Sequence, residues 1–284
     1  MVTGNNNTLL KSSQYWDKRI QKEKAPHYKL LLNFSNKNFL FSIFDTTNNE
    51  FLGAKYEIFN DLNDLLVILK DEVFSWDFQY VIISMETIKS TIIPNSFYDK
   101  EIIEKYLYFD TEINKDELKI TNDELKYIDA TLVYSLQKEV KSILEKKFKN
   151  ITIKSQASIF IDSILKKSAQ SKQNSVFIDI SNKSFEIAVI KKSELYLYNK
   201  FIFSTKEDFL YYVLNCYNTL NLDSKKDKLQ ISGEFNKDEI FNSLKEYIHL
   251  VDLEKRESLY KYSNVFNSVP EFYFHKLFNI IKCV

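Results

Sequence analysis

The sequence predicts an α/β protein in which one folding unit occurs twice. The segment 33–39 (NFSNKNF) returns at 179–185 as DISNKSF, and apolar runs flank both copies. Short apolar runs and amphipathic helical patterns then follow each copy in the same order, which is typical of a duplicated α/β unit. Hydrophobic residues make up 44% of the 284 residues, and this content is enough for two cores of ordinary size.

Strands are predicted around the repeated turn in both copies. Phe39–Phe44 corresponds to Phe185–Ile190, and both stretches are rich in the aromatic and branched residues that favour strands. A third strand is predicted at Lys55–Phe59 in the first copy and at Asn199–Phe203 in the second. The first copy has the longer turn before that strand, at residues 45–49, and turns are where repeated units differ in length.

A helix is predicted after the third strand of each copy. Asn60 or Asp61 can cap the first helix, and Ser204 or Thr205 can cap the second. Thr205 with Asp208 resembles a capping box. Apolar residues at helical spacing give both helices a stripe that can cover a sheet: Leu62, Leu65, Leu66, Leu69 and Val73 in the first, and Phe209, Val213, Leu214 and Tyr217 in the second.

A fourth strand closes each copy with a similar sequence, ISME at 83–86 and ISGE at 231–234. Between the copies we predict a strand, a helix, a strand and a helix, at Ala130–Ser135, 136–148, Ile151–Lys154 and Gln156–Lys167.

The domain organisation follows from these elements. Residues 1–27 are polar and aperiodic and predict a flexible N-terminal tail, 28–172 form the first lobe, and 173–284 form the second. The best linker is 169–174. The segment 110–124 is predicted to be a solvated loop or helix end, and the aromatic stretch 272–278 a terminal helix packed on the second lobe.

Three strands, a helix and a fourth strand form the front half of a ribonuclease-H-like unit, and two such units in tandem form the actin-like ATPase fold. The chain resembles the bacterial family catalogued as domain of unknown function 3822, through 92–97 (IIPNSF), 104–109 (EKYLYF) and 269–278 (VPEFYFHKLF). The resemblance covers residues 28–284. It implies two tandem ribonuclease-H-like lobes with an actin-like ATPase fold. Because the family has no assigned activity, the resemblance leaves the function open.

Charge and cysteine content exclude several classes of function. The 39 basic residues balance 39 acidic ones, so no overall field attracts nucleic acid or an anionic membrane. Arg19 and Arg256 are the only arginines, which further disfavours a nucleic-acid reader. Cys216 and Cys283 predict neither a disulfide framework nor a metal cluster. We expect a cytoplasmic protein without membrane insertion, because no apolar stretch is long enough to span a bilayer.

The resemblance also shows where a nucleotide would bind. In active actin-like ATPases a hairpin in each lobe holds the phosphates, with an Asp for the metal and Gly in the turn for close backbone approach. The second copy keeps Asp179 but has Ser181 in the glycine position, and the first copy has Asn33 and Ser35. The chain has 3 glycines, where average usage gives roughly 20. A backbone cradle for a triphosphate is therefore not expected.

Two alternative hypotheses place ligand binding or catalysis at the hairpin of the second copy. Ser181, Asn182, Lys183 and Ser184 could bind phosphate through their side chains, with Asp179 holding magnesium and Gly233 near the adenosine; ordinary hairpin chemistry explains the same residues. In a ribonuclease-H reading, Asp179 and Glu234 would hold two metals at the strand ends, but the further carboxylates that this chemistry needs are not visible.

The leading hypothesis is a non-catalytic binding or scaffold module with a degenerate actin-like fold, an unknown protein partner, no nucleic acid and no cofactor. We predict no catalytic residue and no metal site. The alternative is an ATP-binding protein that uses magnesium at a rebuilt, glycine-poor site. The three histidines have no metal-ligand spacing.

Overall fold

The computed structural model of the protein describes residues 14–35, 37–107, 116–171, 173–181 and 183–283. The chain divides into two compact units with interleaved segments. The first comprises Met1–Phe160, Ser258–Ser268 and Leu277–Val284, and the second comprises Ile161–Glu257 and Val269–Lys276.

The first unit contains a mixed sheet and a small antiparallel sheet. Its strands up to the boundary are β1 (Gln14–Trp16), β2 (Tyr28–Ser35), β3 (Asn38–Asp45), β4 (Glu50–Ile58), β5 (Tyr80–Met85), β6 (Ser90–Pro94), β7 (Leu118–Glu124), β8 (Ala130–Gln137) and β9 (Ile151–Ser155). Its helices are α1 (Leu62–Ile68), α2 (Lys138–Lys147) and the first part of α3 (Gln156–Ser168).

The second unit contains one sheet with helices. Its elements are β10 (Ser175–Ser181), β11 (Ser184–Lys191), β12 (Glu194–Ile202), α4 (Lys206–Thr219), β13 (Lys228–Glu234), α5 (Lys237–Lys245) and β14 (Val251–Leu253). Two more elements follow β14. β15 (Lys261–Tyr262) belongs to the first unit, and α6 (His275–Asn279) begins in the second unit and ends in the first. Short 3₁₀ helices lie at Lys22–His27, Glu72–Ser75, Asn95–Phe97, Lys100–Tyr106, Asn264–Phe266 and Ile280–Cys283.

Strand order confirms the duplicated fold. The main sheet of the first unit runs β1-β4-β3-β2-β5-β9, with β15 also paired to β4, and the sheet of the second runs β12-β11-β10-β13-β14. The order β4-β3-β2-β5 thus returns as β12-β11-β10-β13. In both units the hairpin pairs are antiparallel and the pair after the helix is parallel.

The strands on either side of the repeated turn pair in the same register in both units. Two residues connect the paired strands, so that Ser35 lies opposite Asn38 and Ser181 lies opposite Ser184. The carbonyl group of the turn lysine accepts a hydrogen bond from the N–H of the residue just after the third strand, at 3.0 Å in the first unit and 2.9 Å in the second. The shared turn is therefore a tight hairpin whose backbone is fastened to the next strand.

The helices begin where their caps predict. Asp61 accepts from the first-turn N–H groups of α1, and Thr205 with Asp208 forms a complete capping box on α4. Phe209 and Val213 of α4 pack into the core of the second unit, whereas Leu66 of α1 is 45% exposed. In β10 the even-numbered apolar residues join this core, so the odd-numbered Asp179 points to the opposite face of the sheet.

The predicted tail is wrong for residues 14–27; residues 1–13 lie outside the described part of the chain. β1 pairs with β4, placing Trp16 opposite Gly53. Arg19 then forms ion pairs with Asp17 and with Glu50 at 2.6 and 2.8 Å. A polar, aperiodic segment is ordered because an edge strand of the sheet supplies its backbone partners.

The predicted loop at 110–124 is wrong for Leu118–Glu124, which is strand β7 paired with β8; residues 110–115 lie outside the described part. This strand has little apolar periodicity, and its partner strand stabilises it. The second boundary also differs from 172/173, because the first unit ends at Phe160 inside α3.

The terminal helix is shorter than predicted and does not pack on the second lobe alone. Phe272 lies in the core of the second unit. Phe278 instead contacts Phe51 and Phe266 of the first unit, with ring centroids 4.5 and 5.4 Å away. The aromatic stretch therefore contributes side chains to the cores of both units rather than to that of the second unit alone.

Candidate functional site

A row of polar side chains crosses the face of the second unit's sheet that α4 does not cover. Asp179 on β10 lies directly opposite Glu186 on β11 and beside Ser232 on β13. Glu186 in turn lies opposite Lys200 on β12. Cross-strand neighbours of this kind have side chains on one face, so the four residues form a continuous polar line.

The two carboxylates in this row are buried and each has a hydroxyl partner. Asp179 is 2% exposed and Glu186 is 3% exposed. Ser232 Oγ donates to Asp179 Oδ2 at 2.6 Å, and Tyr198 Oη donates to Glu186 Oε1 at 2.6 Å. Buried carboxylates are costly unless they are hydrogen-bonded and neutralised, so a cation is required nearby.

Lys276, at the start of α6, supplies that cation. Its Nζ lies 2.7 Å from Glu186 Oε2 and 3.3 Å from Asp179 Oδ1. The 2.7 Å distance to Glu186 is that of a charge-assisted contact between an ammonium and a carboxylate. Burial disfavours the charged form of Glu186, but the ammonium of Lys276 and the hydroxyl of Tyr198 outweigh burial and lower the pKa of Glu186.

The segment that carries Lys276 is attached to the end of β13. The carbonyl of Phe272 accepts a hydrogen bond from Gly233 N at 2.9 Å, and Tyr273 Oη donates to the carbonyl of Phe235 at 3.1 Å. Phe274 has φ of 61°, a conformation that is strained for a bulky residue. The surrounding contacts stabilise this backbone and so place Lys276 over the acids.

Glu234 is a third carboxylate at the same end of the sheet. It follows Gly233 at the end of β13, in register with Ser181. Burial, followed by the negative charge of Asp179, raises the pKa of Glu234 to about 7, and the ammonium of Lys276 opposes the shift. We call Asp179, Glu186, Ser232, Tyr198 and Lys276 the ionic cluster. Glu234, beside it, is a carboxyl group that gains or loses a proton near neutral pH.

We expect Glu234→Gln to remove a pH dependence of stability. The folded state raises the pKa of Glu234 from 4.5 to about 7, so its stabilisation is complete below pH 4.5 and is lost as the pH rises through 7. Glutamine stays neutral, so the variant should be more stable than the wild type at pH 8 by about 2 to 3 kcal/mol and nearly unchanged at pH 4.

Urea unfolding at both pH values measures this difference. Glu239→Gln, at an exposed position of α5, is the matched control and should show no pH-dependent gain. Equal stability of Glu234→Gln and wild type at pH 8 would contradict the shifted pKa.

Among the residues predicted for phosphate binding, two serines are bonded to each other across the hairpin. Ser184 Oγ donates to the carbonyl of Ser181 at 3.3 Å, across the turn. The side chain of Lys183 is exposed, and Asn182 lies outside the described residues. Of the predicted site residues, the structure brings Asp179 into the ionic cluster.

Gly233 has a steric reason to be glycine. Its φ is +107°, and a Cβ placed on it would lie 2.0 Å from the carbonyl oxygen of Ile180 and 2.6 Å from the nitrogen of the same residue. The glycine thus permits close approach of β13 to β10, where Gly233 lies in register with Ile180.

No group of three or more His, Cys, Asp or Glu side chains is placed to hold a metal ion in the described part of the chain. Asp179 and Glu234, the acids of the ribonuclease-H alternative, lie on neighbouring strands. Asp179 is already bonded to Ser232 and paired with Lys276. His275 Nε2 lies 3.4 Å from the carbonyl oxygen of Lys255.

The first unit does not repeat this cluster. At the positions of Asp179 and Glu186 it has Asn33 and Leu40, which also lie opposite each other. Asn33 Oδ1 is buried without a hydrogen-bond partner among the described residues. The ionic cluster is therefore a property of the second unit alone.

The sequence prediction missed Glu186, Tyr198 and Lys276. Glu186 had a readable signal, because it is the one charged residue inside an apolar run and the two-residue turn places it opposite Asp179. Tyr198 lies on β12, two residues from the Lys200 that faces Glu186, so it is a diagonal neighbour of Glu186 on the same face. Lys276 had no local signal, since its approach to Asp179 depends on the path of the C-terminal segment.

Comparisons with solved structures establish the fold. A protein from Bacteroides thetaiotaomicron VPI-5482 with an actin-like ATPase fold and unknown function is similar at a TM-score of 0.73 and 20% identity, over 83% of this chain and 93% of that one. A chain of the PilM–PilN type IV pilus biogenesis complex is similar at a TM-score of 0.63 and 8% identity, over 90% and 98%. The chain thus has the actin-like ATPase fold.

A search of curated proteins found no match. Within the described residues, no helix combines the length and apolar character needed to cross a membrane. The sequence matches the family described as Protein of unknown function (DUF3822) over residues 17–251. This match spans most of the chain, so the protein belongs to the DUF3822 family.

Proposed function

We propose that this protein is a non-catalytic binding or scaffold module built on an actin-like fold. One observation carries the proposal: the carboxylate of Asp179, which the family resemblance assigns to the metal, has Lys276 Nζ at 3.3 Å and Ser232 Oγ at 2.6 Å. An ammonium at this distance repels a second cation and occupies the oxygen that would face it. Both oxygens of Asp179 thus already have partners, which supports a site without magnesium.

The use of glycine supports the same proposal. Phosphate cradles need backbone N–H groups that a ligand can approach closely. Gly233 meets a different need, because its missing Cβ makes room for the backbone of β10, and its N–H is bonded to Phe272. The hairpin of the second unit has serines at both ends of its turn, and the hydroxyl of Ser184 bonds within the hairpin.

A protein is the kind of partner that we propose for this module. One structure with the same fold is a complex between two proteins, PilM and PilN, and this supports a protein as the partner of the present chain. Equal numbers of acidic and basic residues, 39 each, and an arginine count of two make nucleic acid a poor candidate.

We expect isothermal titration of the wild-type chain with ATP, ADP or GTP, each with magnesium, to show no binding at micromolar nucleotide. The physical reason is the engaged Asp179 together with the absence of a glycine cradle. In a parallel thermal-shift series, millimolar ATP with magnesium should leave the melting temperature unchanged.

Micromolar binding with turnover would refute the proposal. In that case Asp179→Ala should abolish the ATP-dependent stabilisation, which would identify the rebuilt site of the alternative hypothesis. Lys225→Ala, at an exposed position in the connection between α4 and β13 and outside the hairpin, serves as the control. Affinity purification from the native host then tests for a protein partner.

A further inference from the structure

In the ionic cluster of the second unit, each of the two acids has one oxygen bonded to a hydroxyl group and the other oxygen near Lys276. Asp179 uses Oδ2 for the hydroxyl of Ser232 and leaves Oδ1 for Lys276. Glu186 uses Oε1 for the hydroxyl of Tyr198 and leaves Oε2 for Lys276. Each buried carboxylate is thus held by a neutral donor through one oxygen and presents the other oxygen to a single nitrogen.

We propose that Asp179 and Glu186, held by Ser232 and Tyr198, form a binding site for a primary ammonium group, which the chain fills with its own Lys276. The hydroxyl bonds orient both carboxylates independently of Lys276, since the two donors lie on β13 and β12. The acceptors are therefore arranged before the ammonium arrives, as in a preorganised ligand site.

The geometry favours an ammonium over a metal ion. Two carboxylate oxygens approach Nζ at 2.7 and 3.3 Å, which are distances of charge-assisted contacts to nitrogen and are longer than those of magnesium to oxygen. No three metal-ligating side chains converge in the part of the chain that the structure describes. A compact ammonium with several donors can contact one oxygen of each carboxylate at once, as Lys276 does.

The segment Val269–Lys276 of the same chain places the ammonium group of Lys276 in this site. Arg256 Nη2 donates to the carbonyl of Val269 at 2.7 Å, at the start of the segment. Gly233 N donates to the carbonyl of Phe272, in the middle of the segment. Phe274 keeps a strained φ of 61° between these anchors and Lys276. The strain is tolerated because the anchors and the ammonium contacts together stabilise this path.

Chemical rescue of Lys276→Ala in the full chain tests the proposal. The substitution leaves two buried carboxylates without their cation, and we expect the melting temperature to fall by about 10 °C. n-Propylammonium replaces the atoms that alanine lacks. At millimolar concentration it should restore most of the loss, while the wild type, whose site is filled, should not respond.

Three additives separate the possible explanations at equal concentration and ionic strength. n-Propanol has the shape without the charge, tetramethylammonium has the charge without N–H donors, and magnesium tests for a metal site. None of the three should rescue. Lys228→Ala, which breaks the exposed pair with Asp252, is the matched control and should shift the melting temperature little and show no rescue.

Failure of n-propylammonium to rescue would overturn the proposal, as would equal rescue by tetramethylammonium or preferential rescue by magnesium. Where Lys276→Ala does not fold alone, the yield of refolding from denaturant with and without n-propylammonium gives the same decision. A second variant, Lys276→Ala with Asp179→Asn, should lose most of the rescue because one charged acceptor is gone.

Discussion

Gly233→Ala is expected to lower the free energy of unfolding by about 4 kcal/mol, because the new Cβ would meet backbone rather than flexible side chains. The Cβ would lie 2.0, 2.6 and 2.8 Å from the oxygen, nitrogen and carbonyl carbon of Ile180. The φ of +107° adds strain for any residue with a side chain. Relief requires β13 to separate from β10 at the position that holds Ser232 and Glu234.

Urea unfolding followed by circular dichroism measures this loss. Gly53→Ala is an informative comparison, since its Cβ would lie 2.7 Å from the carbonyl oxygen of Tyr15 and 3.1 Å from side-chain atoms. Tyr15 belongs to the three-residue edge strand β1, which can shift, so Gly53→Ala should cost less. A loss below about 1 kcal/mol for Gly233→Ala would mean that the two strands do not approach as closely as described.

Asp123→Ala is expected to cost about 3 to 5 kcal/mol, because it removes the shared acceptor of a buried network in the first unit. Asp123 Oδ2 accepts from Ser155 N at 2.8 Å and from Ser158 Oγ at 2.5 Å, at the start of α3. Asp123 Oδ1 accepts from Tyr134 Oη at 3.1 Å. Burial, and after it the charge of Asp123, raises the pKa of Tyr134.

The network joins the small antiparallel sheet to the N-terminus of α3. Its loss removes the carboxylate that accepts from Ser155 N and Tyr134 Oη and that pairs with Lys154 at 3.3 Å. Asp129→Ala is the control and should cost less than about 1 kcal/mol, because this exposed carboxylate accepts one hydrogen bond from the side-chain amide of Asn95. A double-mutant cycle with Tyr134→Phe measures the coupling between Asp123 and the hydroxyl. Additive losses would show that Tyr134 and Asp123 do not interact.

The duplicated fold could be predicted because it depends on local patterns. The two-residue turn determines the register of each hairpin, and both turns lie where the repeated motif placed them. The capping box at Thr205 and Asp208 is a contact within one helical turn, so spacing alone predicts it. The same register also places Glu186 opposite Asp179, so the turn length alone predicts this pair of acids.

Elements that depend on distant partners could not be predicted. β1 and β7 have weak strand patterns, and they are strands because β4 and β8 supply the missing backbone partners. The aromatic stretch 272–278 reads as one helix, yet its residues enter two cores since the chain passes from one unit to the other at 276/277.

The sequence by itself determined the architecture: strand alternation, turn length and helix caps are short-range, so they specify two copies of one α/β unit. It also placed Asp179 at the end of a strand in the second copy. Only the tertiary structure determined which side chains Asp179 contacts. Lys276 reaches Asp179 through a segment bonded to the end of β13, and Gly233 is required by the backbone of Ile180. Both depend on long-range approach, which no local pattern encodes.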